Sequence, residues 1–249
     1  MKDGFAGQYA DLEKHHWWFR ARRLILRSLL AREIPWRDGM ETLEVGVGPG
    51  ENLYTLYPPG IRLSGLEPEP ANAEIARQRG AVPVYTGTVE TMPAPLAQAS
   101  FDVITLFDVL EHIRDDGHAL DILRARLKPG GRLVLAVPAY QWLWGQQDVV
   151  SLHFRRYTMS TLKAMLAERG LRVTRATYFN TLLFPPIAAF RLIAKLRPGL
   201  DQATESDFKY NVGILNELLF HTFATEAVLT RYVSFPFGVS LFVVAESTP

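Results

Sequence analysis

Thr42-Leu43-Glu44-Val45-Gly46-Val47-Gly48-Pro49-Gly50 runs an apolar strand pattern straight into three glycines spaced two apart, and a helical pattern follows. Without a Cβ the chain turns sharply at a strand end and lets a ligand lie against main-chain atoms, while the next helix offers unpaired N–H groups. The stretch therefore predicts the mouth of a nucleotide-type cofactor site. A dinucleotide fingerprint of the form GxGxxG needs its third glycine at position 51, where this chain has Glu51. The carboxylate of Glu44, at the strand end, suits a ligand carrying an ammonium group better than a pyrophosphate. Roughly twenty residues on, Ile61-Arg62-Leu63-Ser64-Gly65-Leu66 reads as a second strand ending in Glu67, where an acid accepts from both hydroxyls of a ribose. An adenosine-bearing ligand is implied.

Four blocks, Leu43 to Gly50, Gly65 to Pro68, Ser100 to His112 and Leu127 to Pro138, resemble the class I S-adenosylmethionine-dependent methyltransferases, in that family's order over about one hundred residues. The resemblance implies an α/β fold, a doubly wound, Rossmann-like, seven-stranded and mostly parallel sheet. S-adenosyl-L-methionine would lie across the carboxyl ends of the first strands and leave as S-adenosyl-L-homocysteine. Carried onto this chain, the cofactor-binding residues are Glu44, Gly46, Val47, Gly48, Gly50, Glu67, Pro68, Phe107 and Asp108. Similar methyltransferases often hold an acid for the adenine amino group after the third strand. Thr88 stands in that place, so the contact falls to Thr88, Glu90 or the backbone at Val89.

The composition fits a compact enzyme of one domain over 1–249. It divides into an N-terminal helical lid (1–34), a cofactor-binding core (35–178), a helical insertion (179–235) and a final strand (236–249). Hydrophobic residues make up 48% and charged residues 21%, and 27 Lys and Arg against 26 acids give no basic field of the kind that draws a protein onto nucleic acid. No cysteine is present, which excludes disulfides and thiol-ligated zinc, and no metal ligands are singled out. The start of the chain lacks an apolar signal core, so a cytoplasmic protein is expected, with membrane association as an addition.

Within the lid, His15-His16-Trp17-Trp18-Phe19-Arg20 reads either as a cover over the site or as an amphipathic helix packed on the sheet, and Pro35 ends it. Phe101 to Phe107 is a central strand buried on both faces; Asp108-Val109-Leu110-Glu111-His112 opens at its carboxyl end, where ligands sit in open α/β sheets. His112 is a candidate base or a packing residue. Ala139 to Gly145 and His153-Phe154-Arg155-Arg156-Tyr157 are expected to wall the acceptor pocket, with His153 and Tyr157 as further catalytic candidates. Asn180 to Leu196 is an apolar insertion broken in its middle by Pro185-Pro186. It reads as a lid, a dimer contact, or (over 180–197) an in-plane membrane segment. Pro198 to Phe208 reads as a polar loop, Val212 to Tyr232 as an apolar helix and Phe237 to Ala245 as the last strand.

These features point to methyl transfer from S-adenosylmethionine to oxygen or nitrogen of a small-molecule, lipid-linked or sugar-linked acceptor. A nicotinamide-dependent oxidoreductase and a non-catalytic cofactor-binding protein are the alternatives. A nucleic-acid substrate is disfavoured, because Phe107-Asp108-Val109-Leu110 is not an Asn-Pro-Pro-Tyr-type block that holds a flipped base.

Overall fold

The computed structural model describes residues 11–196 and 213–247. Seven strands form one sheet in the order β3-β2-β1-β4-β5-β7-β6. They are β1 (Glu41–Val45), β2 (Arg62–Glu67), β3 (Val84–Thr86), β4 (Phe101–Phe107), β5 (Leu127–Pro138), β6 (Leu171–Phe179) and β7 (Ser240–Ser247). The first five are parallel; β7 inserts antiparallel between β5 and β6, pairing Leu133 with Ala245 and Tyr178 with Leu241. The sheet is thus mostly parallel, as the sequence implied.

Strand side chains alternate between faces, and the central strands are apolar on both. Ile104 and Leu106 of β4, Leu133 and Leu135 of β5, and Leu241 and Val243 of β7 face one core. It is closed by helices α4 (Asp116–Ala125) and α6 (Met159–Ala167), through Leu120, Leu123, Leu162 and Leu166. Val103, Phe107, Val134, Ala136, Phe242 and Val244 face the second core, which is covered by α1 (Trp17–Glu33) and α8 (Ile214–Ala224). Between β1 and β3 run α2 (Glu51–Thr55) and α3 (Pro70–Gln78). A short helix α5 (Gln146–Val150) follows β5.

α1 resolves the two readings of the N-terminal segment. Ile25, Leu26, Leu29 and Leu30 are fully buried against the sheet. At about 1.5–3 kcal/mol per side chain, these four hold the helix by roughly 6–12 kcal/mol, more than an opening lid surrenders. The body of α1 is scaffold. Its first turn is different, because His16, Trp17 and Trp18 line a cavity.

The insertion also differs from the sequence reading. Pro185 and Pro186 do not break a helix; they occupy the first turn of α7 (Phe184–Leu196). There the missing N–H has no intrahelical partner to lose, and the fixed φ suits the helix. The expected helix over 212–232 is two, α8 and α9 (Glu226–Leu229), parted at Thr225. The loop 198–208, Arg197 and the start of the chain lie outside the described residues. No helix among the described residues is long and apolar enough to cross a membrane.

Candidate active site

At the end of β1 the backbone turns through Gly46 (φ +72°) and Gly50 (φ +91°), left-handed conformations that favour glycine. A Cβ on Gly46 would overlap the Val109 side chain, and one on Gly50 would sit 2.9 Å from Cβ of Ala76. The glycines thus bring the β1 turn against the β4 loop and α3.

Two acids stand under this turn. Glu44 is buried, with the Tyr57 hydroxyl and the Asn52 side chain as polar neighbours but no hydrogen bond of good geometry to either oxygen among the described residues. Burial raises its pKa to about 7, opposed by the polar groups of Tyr57 and Asn52 and by the Arg22 charge. A buried carboxyl with so little compensation suits a cationic ligand group. Glu67, at the end of β2, accepts from the Gly48 N–H at 2.8 Å, from the Glu69 N–H at 3.1 Å and from the Asn72 amide at 3.5 Å. Burial raises its pKa. A carboxylate has about four acceptor positions, so a grip on both ribose hydroxyls requires one of these bonds to give way.

Other expected cofactor residues are dispersed around this turn. Val47 is buried against α2 and α3, Pro68 follows Glu67, and Phe107 is core. Thr88 exchanges hydrogen bonds with Thr91, Val89 is buried, and Glu90 is exposed. Asp108 has a positive φ of 56° and pairs with Arg22 of α1 at 2.7 Å. The Arg22 guanidinium is nearly fully buried, 5.3 Å from the Trp18 ring and 6.0 Å from Phe107.

Glu13 is an unforeseen neighbour. From the helical turn at 11–15 it comes within 3.6 Å of the position a Gly48 Cβ would take. Burial raises its pKa to about 8, against the pull of Arg23 and Arg79. Sequence alone gave no signal for it, because the contact joins residues 35 apart across a turn.

Beyond Asp108 opens a cavity of about 760 Å³. Pro186, Ile187 and Phe190 of α7 roof it, with Trp17, Leu215 and Leu219 at the side. Its polar wall holds Glu111, His112, His153 and Arg156. The wall is ordered by Asp148, a fully buried acid of α5 that sequence reading did not single out. Its Oδ1 lies 2.8 Å from His153 Nδ1, Arg156 donates to both oxygens at 2.8 and 2.9 Å, and the Gly145 N–H donates at 2.8 Å. Burial disfavours its charge, but these bonds outweigh it and bring the pKa down to about 2. Asp148 is charged at neutral pH and holds the His153 ring in place.

His112 meets His153 edge to face at 4.6 Å. Although open to the cavity, His112 is crowded by protein, and that desolvation together with His153 lowers its pKa to about 4. Tyr157 stands apart: it is buried in the core and its hydroxyl donates to Asp116 at 2.8 Å. The rings of Tyr140 and Trp142 are not cavity walls either. Tyr140 stacks on Tyr178 at 5.2 Å and Trp142 meets Phe184 at 5.9 Å, beneath the start of α7.

Residues 15–176 match a family model described as a methyltransferase domain. The chain is 35% identical over 238 residues to an uncharacterised 37.1 kDa protein of transposon Tn4556 from Streptomyces fradiae, covering 90% of this chain and 67% of that one. It is 28% identical to a probable S-adenosylmethionine-dependent methyltransferase of Mycolicibacterium smegmatis, over 65% of this chain and 62% of the relative. It is 29% identical to the mitochondrial ubiquinone biosynthesis O-methyltransferase of Schizosaccharomyces pombe, over 46% of this chain and 43% of the relative. The matched stretch is thus less than half of that last protein. Among solved structures, a methyltransferase of Haloferax volcanii in complex with the Trm112 methyltransferase activator superposes with a TM-score of 0.64 at 19% identity, covering 99% of this chain and 96% of that one. That likeness is one of fold.

Proposed function

The chain belongs to the S-adenosylmethionine-dependent methyltransferases, and from this premise we propose that it methylates an oxygen of a bulky, mainly apolar acceptor bound in the cavity beyond Asp108. S-adenosylmethionine, when bound, supplies a methyl group already activated as an electrophile. The residues at the β1 turn fit it: Glu44 offers a buried carboxyl with no well-formed hydrogen bond of its own to an ammonium, the Gly46 turn leaves main chain accessible, and Glu67 keeps limited capacity for a sugar hydroxyl.

The observation that carries the acceptor reading is the Asp148–His153 pair at the wall of an otherwise largely apolar cavity. A carboxylate or an already neutral amine attacks without first losing a proton, whereas a hydroxyl is a poor nucleophile until its proton is drawn off. Asp148 takes Nδ1 of His153 and leaves Nε2 for the acceptor side. Such assistance contributes about 10²- to 10⁴-fold, beside the about 7–11 kcal/mol available from alignment of the two bound partners. The apolar roof from α7 favours an acceptor with an apolar body, and the relative named as a ubiquinone biosynthesis O-methyltransferase makes hydroxylated aromatics with apolar tails the first class to try.

The test is a panel of hydroxylated aromatics, with and without apolar tails, incubated with the protein and methyl-labelled S-adenosylmethionine. Label on oxygen, with tailed acceptors preferred and His153→Ala lowering turnover far more than S-adenosylhomocysteine affinity, is the expected result. Transfer to amines alone, with the His153 variant fully active, overturns the acceptor reading.

A further inference from the structure

Glu111, His112 and His153 each offer one donor atom within 4.8 Å of the other two. Glu111 is completely buried, lines the cavity, and has no hydrogen-bond partner on either oxygen among the described residues. A charged carboxyl left buried and unpaired is strongly disfavoured, so it is either held neutral or completed by a group the chain does not supply.

The imidazoles argue for completion. His153 gives Nδ1 to Asp148 at 2.8 Å, and the His112 ring meets the His153 ring edge to face at 4.6 Å. The His153 ring is thus oriented through one nitrogen with the other left over, the arrangement by which an outer carboxylate fixes a metal-ligating histidine. Two nearby arginines do not cancel the attraction: Arg22 is matched by Asp108 and Arg156 by Asp148, so the Glu111 charge is the unmatched one.

We propose that Glu111, His112 and His153 bind a divalent transition cation, zinc by donor type, with its open positions facing the cavity. Two imidazoles and one carboxylate form a donor set used for zinc sites that keep an open position. Metal–ligand bonds of about 2.0–2.2 Å put tetrahedral ligands about 3.4 Å apart, so the three side chains draw in by about an ångström on binding. The ion's role, holding the acceptor oxygen in place of direct contact with His153, rests on the acceptor-site reading above; its binding does not.

The full-length protein, stripped with a chelator and dialysed against zinc, is assayed for metal by mass spectrometry, and cobalt replaces zinc to read visible absorption. One cation per chain is expected, lost in Glu111→Gln and in His112→Ala while S-adenosylhomocysteine affinity is retained as the control for folding. Asp148→Asn, which acts only through His153, should weaken zinc by about 10- to 100-fold. No stoichiometric zinc in the wild type, or equal zinc in Glu111→Gln, overturns the inference. Unaltered methyl transfer by metal-free protein removes the ion's role and leaves the methyltransferase reading standing; failure to bind S-adenosylhomocysteine removes that reading whatever the zinc result.

Discussion

A methyl group added at Gly46 would collide with Val109 and force a side chain into a left-handed conformation. Overpacking and backbone strain together predict that Gly46→Val destabilises by about 2–4 kcal/mol and removes S-adenosylhomocysteine binding, read by denaturant unfolding and calorimetric titration. The sequence points to the same residue because a ligand is expected to lie against its main chain; in the fold the side chain of a neighbouring loop fills that space. Glu44 makes a second prediction at this scale. Its folded pKa, about 7, lies above the ordinary value of 4.5, so the folded state holds the proton more tightly than the unfolded chain. The resulting stabilisation is complete below pH 4.5 and is lost as pH rises through 7, a change of roughly 3 kcal/mol. Glu44→Gln should therefore stabilise the ligand-free protein at pH 8. It should also weaken the cofactor, whose affinity in the wild type rises with pH through 7 as the carboxylate forms to meet the ammonium. Melting curves and titrations at pH 6 and 8 check both signs, and a variant as tight as wild type at pH 8 contradicts the assignment.

Among the elements, α1 and α7 carry what patterning read least well. Apolar spacing found the helix of residues 17–33 but not which part of it meets ligand space, because that depends on Arg22 reaching Asp108 across the sheet edge. Arg22→Met should cost about 2–3 kcal/mol, discounted for the partial exposure of Asp108, and should weaken the cofactor by loosening the β4 loop. Equal melting temperatures for the variant and wild type would contradict this. In α7 the two prolines look like a break when only chain order is visible, whereas the N–H groups they lack are ones the first turn never uses. Pro185→Ala is accordingly expected to lower stability by no more than about 1 kcal/mol, through the unfolded chain, whereas relief of a mid-helix break would raise stability. Just before α7, the buried Glu226 accepts from the Thr181 and Leu182 N–H groups at 2.7 and 2.8 Å, tying α9 to the base of the roof.

For the whole molecule, the sheet was legible because buried parallel strands write themselves as unbroken apolar runs and the β1 turn needs glycine. The first strands along the chain and the strand-end positions of Glu44 and Glu67 are read from those runs, whereas the mostly parallel arrangement came with the family resemblance and the strand order only with the fold. The acceptor side was legible only in part. His112 and His153 stand out as residue types, but Asp148 and Glu111 acquire meaning only once the β4 and β5 loops fold onto one wall, and the nearby Tyr140 and Trp142 pack against Phe184 at the start of α7. Tyr157 shows the converse, a reactive residue type whose hydroxyl is spent on Asp116. The central claim, a sulfonium-nucleoside site at the β1 turn, is tested most directly by calorimetric titration of the full-length protein with S-adenosylhomocysteine and, in parallel, with NAD. Saturable one-to-one binding of S-adenosylhomocysteine with no heat from NAD is the predicted result; uptake of NAD with none of S-adenosylhomocysteine would contradict the account.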